Sequence, residues 1–176
     1  KATYATTGKS KTTNAFGMRP MQERAYEKRG EQYLLIKSPP ASGKSRALMF
    51  IALDKVINQG LKQGLIVVPE CAIGASFRNT ELSKFGFWAD WKVEPRWNLC
   101  LDGDDSVNAS KVQAVKDFLQ SDDKFLICTH ATFRFAVKEL GVEAFDNRMI
   151  AIDEFHHVSA NPENRLGEYL KQIIER

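Results

Sequence analysis

Histidine and cysteine are scarce in this chain, with three of each among 176 residues. Cys71, Cys100 and Cys128 are odd in number and far apart, which suggests neither a disulfide framework nor a CxxC metal site. A reducing cytoplasm is the compartment this usage fits. Long apolar runs are also missing: none approaches the roughly 20 residues of a membrane span, and the threonine-rich start lacks the apolar stretch of a signal peptide. No membrane partner is expected. An excess of one charge is nearly absent, with 25 Lys and Arg against 22 Asp and Glu, a net +3. That balance is compatible with a polyanionic partner but does not argue for one. Internal repeats and low-complexity tracts are absent.

What is present is enough apolar sequence, 43%, to bury one sizeable core. Residues 1–17 are rich in Thr, Ala, Lys and Gly and read as a flexible lead-in, so the folded domain is expected over 18–176. "RPMQERAYEKRGEQ" reads as a helix with Pro20 in its first turn and a stop at Gly30. The short apolar runs "YLLIK", "LIVVP", "KFLICTH" and "RMIAIDE" have strand length and alternate with the helical patterns "SRALMFIALDKVI" and "VQAVKDFLQ". Such alternation predicts an α/β fold, a parallel sheet sandwiched by helices in three layers. "FGFWADWKVEPRWNLCLDGDDS" interrupts the rhythm and reads as an insertion or surface subelement.

Gly-Lys-Ser occurs twice, at Gly8 and at Gly43. A phosphate-binding loop needs a strand before it, a tight turn whose N–H groups surround the phosphates, and a helix start behind it. The copy at Gly8-Lys9-Ser10 follows only polar tail and reads as a decoy. At Gly43 the context is present: "YLLIK" as the strand, Ser38 to Ser42 as the turn, and a helical pattern from Ser45. Ser38, Pro39, Pro40, Ala41, Ser42, Gly43, Lys44, Ser45 and Arg46 are therefore the candidate nucleotide loop. It departs from G-x-x-x-x-G-K-[ST] in its first half, where Ser38 and Ala41 replace glycines.

A loop that supports hydrolysis needs a second carboxylate site at the end of a neighbouring strand. "RMIAIDEFHHVS" ends an apolar run in Asp153 and Glu154. Asp153 is the candidate metal carboxylate, with Ser45 as its hydroxyl partner, and Glu154 is the candidate general base. For these acids in isolation, a solvated strand end is an equal reading. Zinc on His156 and His157 is disfavoured because no third or fourth ligand stands at suitable spacing.

These segments resemble the first, RecA-like P-loop lobe of superfamily 2 DExH-box helicases and translocases. Asp153 to His156, Asp-Glu-Phe-His, is similar to the DExH box, and Ser38 to Ser45 to motif I. "RPMQ" at Arg19 to Gln22 resembles the start of restriction-type translocase motors, "VVPECAIGASF" at Val67 to Phe77 motif Ia, and "CTHATF" at Cys128 to Phe133 motif Ib. The resemblance implies ATP and Mg2+ as cofactors. It implies Lys44 on the terminal phosphates, Ser45 and Asp153 on Mg2+, Glu154 activating water, Gln22 on the adenine edge and His156 coupling nucleotide state to movement. It places Pro69, Thr129 and His130 on a nucleic-acid path, DNA being favoured over RNA. Thr129 as a plain strand-end hydroxyl stays open beside that role. Phe16 reads either as a ring stacking on the base or as a hydrophobic staple ahead of the helix.

Motors of this kind carry a second such lobe with an arginine finger, for which this sequence has no motifs. The expectation is a first lobe belonging to a larger chain, active only weakly by itself. The other function classes are a nucleotide-binding regulatory module without turnover and a P-loop phosphotransferase. Phe85, Phe87, Trp88, Trp91 and Trp97, interleaved with Lys84, Lys92 and Arg96, suit single-stranded bases. Packing against the sheet is the preferred reading, because rings bury large areas.

Overall fold

The computed structural model describes residues 13–38, 42–154 and 166–175. Three parallel strands form the centre: β1 (Gln63–Val68), β2 (Phe125–Thr129) and β3 (Arg148–Ile152), in the order β2-β1-β3. Leu65 sits beside Leu126 on one side and Ile150 on the other. All six residues of β1 and all five of β2 are buried. Since successive side chains of a strand point to opposite faces, unbroken burial requires cover on both faces.

The cover is helical. Helix α1 (Pro20–Glu27) packs on α2 (Lys44–Ile57), which contacts β1 and β3. The short α3 (Cys71–Gly74) follows β1. Helix α4 (Ala109–Gln120) packs on α5 (His130–Leu140), which contacts β1, β2 and α6 (Leu166–Ile174). Proline at the first position starts α1, as its missing N–H suits the first turn. Asn108 caps α4 by accepting from the Lys111 N–H. The expected three-layer α/β/α arrangement is the observed one.

Two expectations need correction. "YLLIK" is not a strand: residues 34–38 have no regular structure and do not join the sheet. Its alternation is met by packing alone, with Leu34 and Ile36 half-buried against the core and Tyr33 and Leu35 exposed. The Tyr33 hydroxyl donates to the Ile174 carbonyl at 2.7 Å, tying the segment to α6 instead of to β3. The second concerns "KFLICTH", whose strand ends at Thr129, with His130 opening α5. Thr129 has extended dihedrals and its hydroxyl accepts from the Thr132 N–H, a helix cap.

The aromatic segment packs inward as preferred. Trp91 is fully buried, lies 4.6 Å from the Phe125 ring, and donates its indole N–H to the Phe77 carbonyl. Trp97 packs on Phe118 and donates to Asp123 Oδ2. Phe87 joins Phe50, Tyr26 and Phe16, whereas Phe85 and Trp88 are exposed. Among the described residues no helix is long and apolar enough to cross a membrane.

Candidate nucleotide site

The chain enters α2 through Gly43, which has φ of 86° and serves as the residue before the first helical turn. Glycine takes that left-handed conformation without steric cost. It is needed twice over, because a Cβ there would run into the Gln22 amide. Lys44 is then the first helical residue. On the neighbouring side β3 ends at Ile152, and Asp153 continues the pairing by donating its N–H to the Val67 carbonyl at 2.8 Å. This fixes the Asp153 carboxylate, 3% exposed, at the mouth of the Gly43 turn.

The two halves meet at the Lys44 ammonium, 2.9 Å from Asp153 Oδ1 and 3.0 Å from Glu154 Oε1. Burial alone would lower the Lys44 pKa, but the hydrogen bonds and charges of Asp153 and Glu154 outweigh it and hold it above the ordinary lysine value. The lysine therefore carries its charge throughout the physiological range. Ser38 and Ser42 line the same groove with buried hydroxyls that have no hydrogen-bond partner among the described residues. An unmet buried hydroxyl is costly, about 1–3 kcal/mol, and is a reason to look for a polar ligand beside it. Ser45 also lines the groove, half-buried.

A Mg2+ ion fits the donors present. Hard oxygen ligands, the Ser45 hydroxyl and the Asp153 carboxylate, are the type this ion prefers. The described residues contain no group of three His, Cys, Asp or Glu able to hold a metal unaided.

Gln22 is buried at 2% exposure and clasps the loop. Its Oε1 accepts from the Arg19 N–H at 2.7 Å and its Nε2 donates to the Gly43 carbonyl at 3.0 Å. In this arrangement both ends of the amide are used within the protein. The Arg46 guanidinium lies 5.2 Å over the Phe85 ring at the groove's edge. Phe16 makes edge contacts with Tyr26 and Phe87.

On the far side of β1, Pro69 is half-buried. Thr129 and His130 are both buried, and their polar atoms are engaged inside the protein: Thr129 caps α5, and His130 Nε2 lies 2.9 Å from the Asp153 carbonyl. Neither presents a side chain outward here. Gly8 to Ser10, Pro39, Pro40, Ala41, His156 and His157 lie outside the described residues.

Residues 19–176 match the DEAD/DEAH box helicase family. This chain belongs to that family. A DEAD/DEAH box helicase chain carries an ATP-dependent helicase-type domain, and the helix-flanked parallel sheet is its RecA-like α/β fold. A relative in Bacillus subtilis (strain 168), named "Putative ATP-dependent helicase YeeB", is 60% identical over 171 residues. That match takes in 97% of this chain and 28% of the relative. No solved structure matches significantly.

Sequence reasoning on this helicase domain missed α5 and with it the contact between His130 and Asp153. The available signal was Thr129 three residues before Thr132, a capping pattern at the end of an apolar run.

Proposed function

We propose that this chain is the nucleotide-binding lobe, over residues 18–176, of an ATP-driven nucleic-acid helicase or translocase, with DNA as its track and a second RecA-like lobe as its working partner. The observation that carries the reading is the Lys44 ammonium, at the start of α2, within 3.0 Å of carboxylates delivered by the end of β3. A cation bridging two acids is a site where a magnesium-bound triphosphate can exchange with them, charge for charge.

In that reading Lys44 moves onto the terminal phosphates, and Ser38, Ser42 and the loop N–H groups surround them. Pro39, Pro40 and Ala41 complete the loop, and Arg46 flanks it. Ser45 and Asp153 would hold Mg2+, which would supply positive charge for the phosphate oxygens. Glu154 accepts a proton from the attacking water. Gln22 transfers its hydrogen bonds to the adenine edge, and His156 relays nucleotide state. Pro69 and the Thr129 turn border the polymer track.

The test is the ATPase rate of the full-length natural protein, with and without single-stranded and duplex DNA and RNA, beside Glu154→Gln. Stimulation by DNA that disappears in the variant supports the proposal. Bound ATP with no stimulation by any polymer overturns it.

A further inference from the structure

Glu154 has φ of 55°, and it is one of two non-glycine described residues with positive φ. Left-handed backbone is unfavourable for a residue with a Cβ, so it persists only where neighbours impose it. Here the peptide joining Asp153 to Glu154 is held at both polar atoms. Its N–H donates to Asp153 Oδ1 at 3.0 Å. Its carbonyl lies 2.9 Å from His130 Nε2, in a buried setting.

A carbonyl oxygen only accepts, so Nε2 must carry the proton and donate. The imidazole is itself fixed. His130 is the first residue of α5, directly after the Thr129 cap, and is 8% exposed. Because the strand order is β2-β1-β3, the side chain that follows β2 spans the end of β1 to reach the turn that follows β3.

We propose that His130 is a positioning residue for ATP hydrolysis: its Nε2–H holds the Asp153 carbonyl and thereby keeps Glu154 in the left-handed turn that brings its carboxylate to the groove. The inference rests on the reading of Glu154 as the base. The other members of the site do not depend on this clamp. Asp153 is held through its own N–H by Val67 of β1, and Lys44 is placed by α2. Loss of the imidazole donor leaves this peptide held at its N–H alone, and Glu154 shifts toward the right-handed region while the Lys44 and Asp153 pair stays. Chemistry is then impaired and nucleotide affinity is preserved.

The experiment compares His130→Leu, His130→Gln and His130→Asn in the full-length natural protein, with Glu154→Gln as reference. It reads kcat, KM for ATP, binding of a fluorescent ATP analogue and the melting temperature. A displacement of about 1 Å at a reacting group costs on the order of 10²-fold. The leucine variant is therefore expected to lose roughly 10- to 100-fold in kcat, with KM and analogue binding within about twofold.

Glutamine can place an N–H where imidazole Nε2 stands, so it should recover most of the rate. Asparagine is too short and should not. An undiminished kcat in the leucine variant overturns the proposal. So does equal loss in glutamine and asparagine, or loss that tracks KM and melting temperature. Should the leucine variant fail to fold, the contrast between glutamine and asparagine decides alone. If Glu154→Gln retains wild-type ATPase, the reading of the base falls and takes this inference with it. If Glu154→Gln is inactive and His130→Leu is not, only this inference falls.

Discussion

The three strands carry a polar cluster at each end, and the two are built on opposite plans. At the N-terminal end Gln63, 1% exposed, donates to the carbonyls of Phe118, Ser121 and Asp123 and accepts from Arg148 Nε at 2.9 Å. Arg148 then donates to the Leu119 and Asp146 carbonyls. Almost every partner is main chain, which cannot move without unfolding something. At the C-terminal end Lys44, Asp153 and Glu154 pair through side-chain charges that a ligand can replace. The first cluster ties strands to helices through main-chain oxygens, and the second is the one the proposed function opens to a ligand.

That contrast predicts which change harms what. The largest effect belongs to Lys44→Ala, expected to weaken nucleotide binding by 100-fold or more in a titration, since under the proposed function it removes the charge that meets the phosphates. Lys9→Ala in the other Gly-Lys-Ser should leave binding unchanged; equal loss from both would undo the assignment. Glu154→Gln should bind nucleotide normally and lose about 10² to 10³ in turnover, as removal of a positioned base does.

At the other end the same measurements should barely move while stability does. Gln63→Leu takes the side-chain acceptor from Arg148 Nε and the amide donor from the Ser121 and Asp123 carbonyls, whereas the Phe118 carbonyl keeps the Ser121 N–H and hydroxyl. The substitution should cost about 2–4 kcal/mol in denaturant unfolding, with nucleotide affinity within twofold. A large change in affinity would mean that the two ends are coupled through β1.

How much of this could be read in the sequence follows the same division. Lys44, Asp153 and Glu154 were legible as a group because Gly-Lys-Ser before a helical pattern and an apolar run ending in two acids are both recognisable in sequence, and the structure brings the three side chains together. The network of Gln63 was not legible: an amide bonded to main-chain oxygens leaves no pattern, since any carbonyl will serve. "YLLIK" was misread because alternation reports which side chains face the core and is silent on whether the backbone is paired. His130 was assigned outward on resemblance, whereas its burial depends on a helix start that the apolar run before it concealed.

A smaller effect concerns Asp54, 6% exposed at the end of α2. Burial alone would raise its pKa, but hydrogen bonds from Asn58 and Gln59, the Arg29 charge and the Tyr26 hydroxyl outweigh it and hold the carboxyl below its ordinary value. A depressed pKa means that this stabilisation is complete above the unfolded value near 3.8 and is lost as pH falls through the folded one. The stability gap between wild type and Asp54→Ala should thus be level from about pH 8 to 5 and shrink below about pH 4. The smallest effect is expected for Lys84→Ala. Its ion pair with Glu81 is exposed on both sides, and its removal should cost under about 0.5 kcal/mol.

Asn147, with φ of 61°, stands immediately before β3, and Glu154 stands just after its last paired residue. Between these two left-handed residues the strand works as a ruler of fixed length. Deleting one residue from 148–152 would turn the Asp153 side chain to the opposite face of the sheet. Deleting two would restore the face but draw the acid back by roughly 6–7 Å, beyond the reach of Lys44. The spacing between the two bends, and no single side chain within it, is what locates the acid along the sheet.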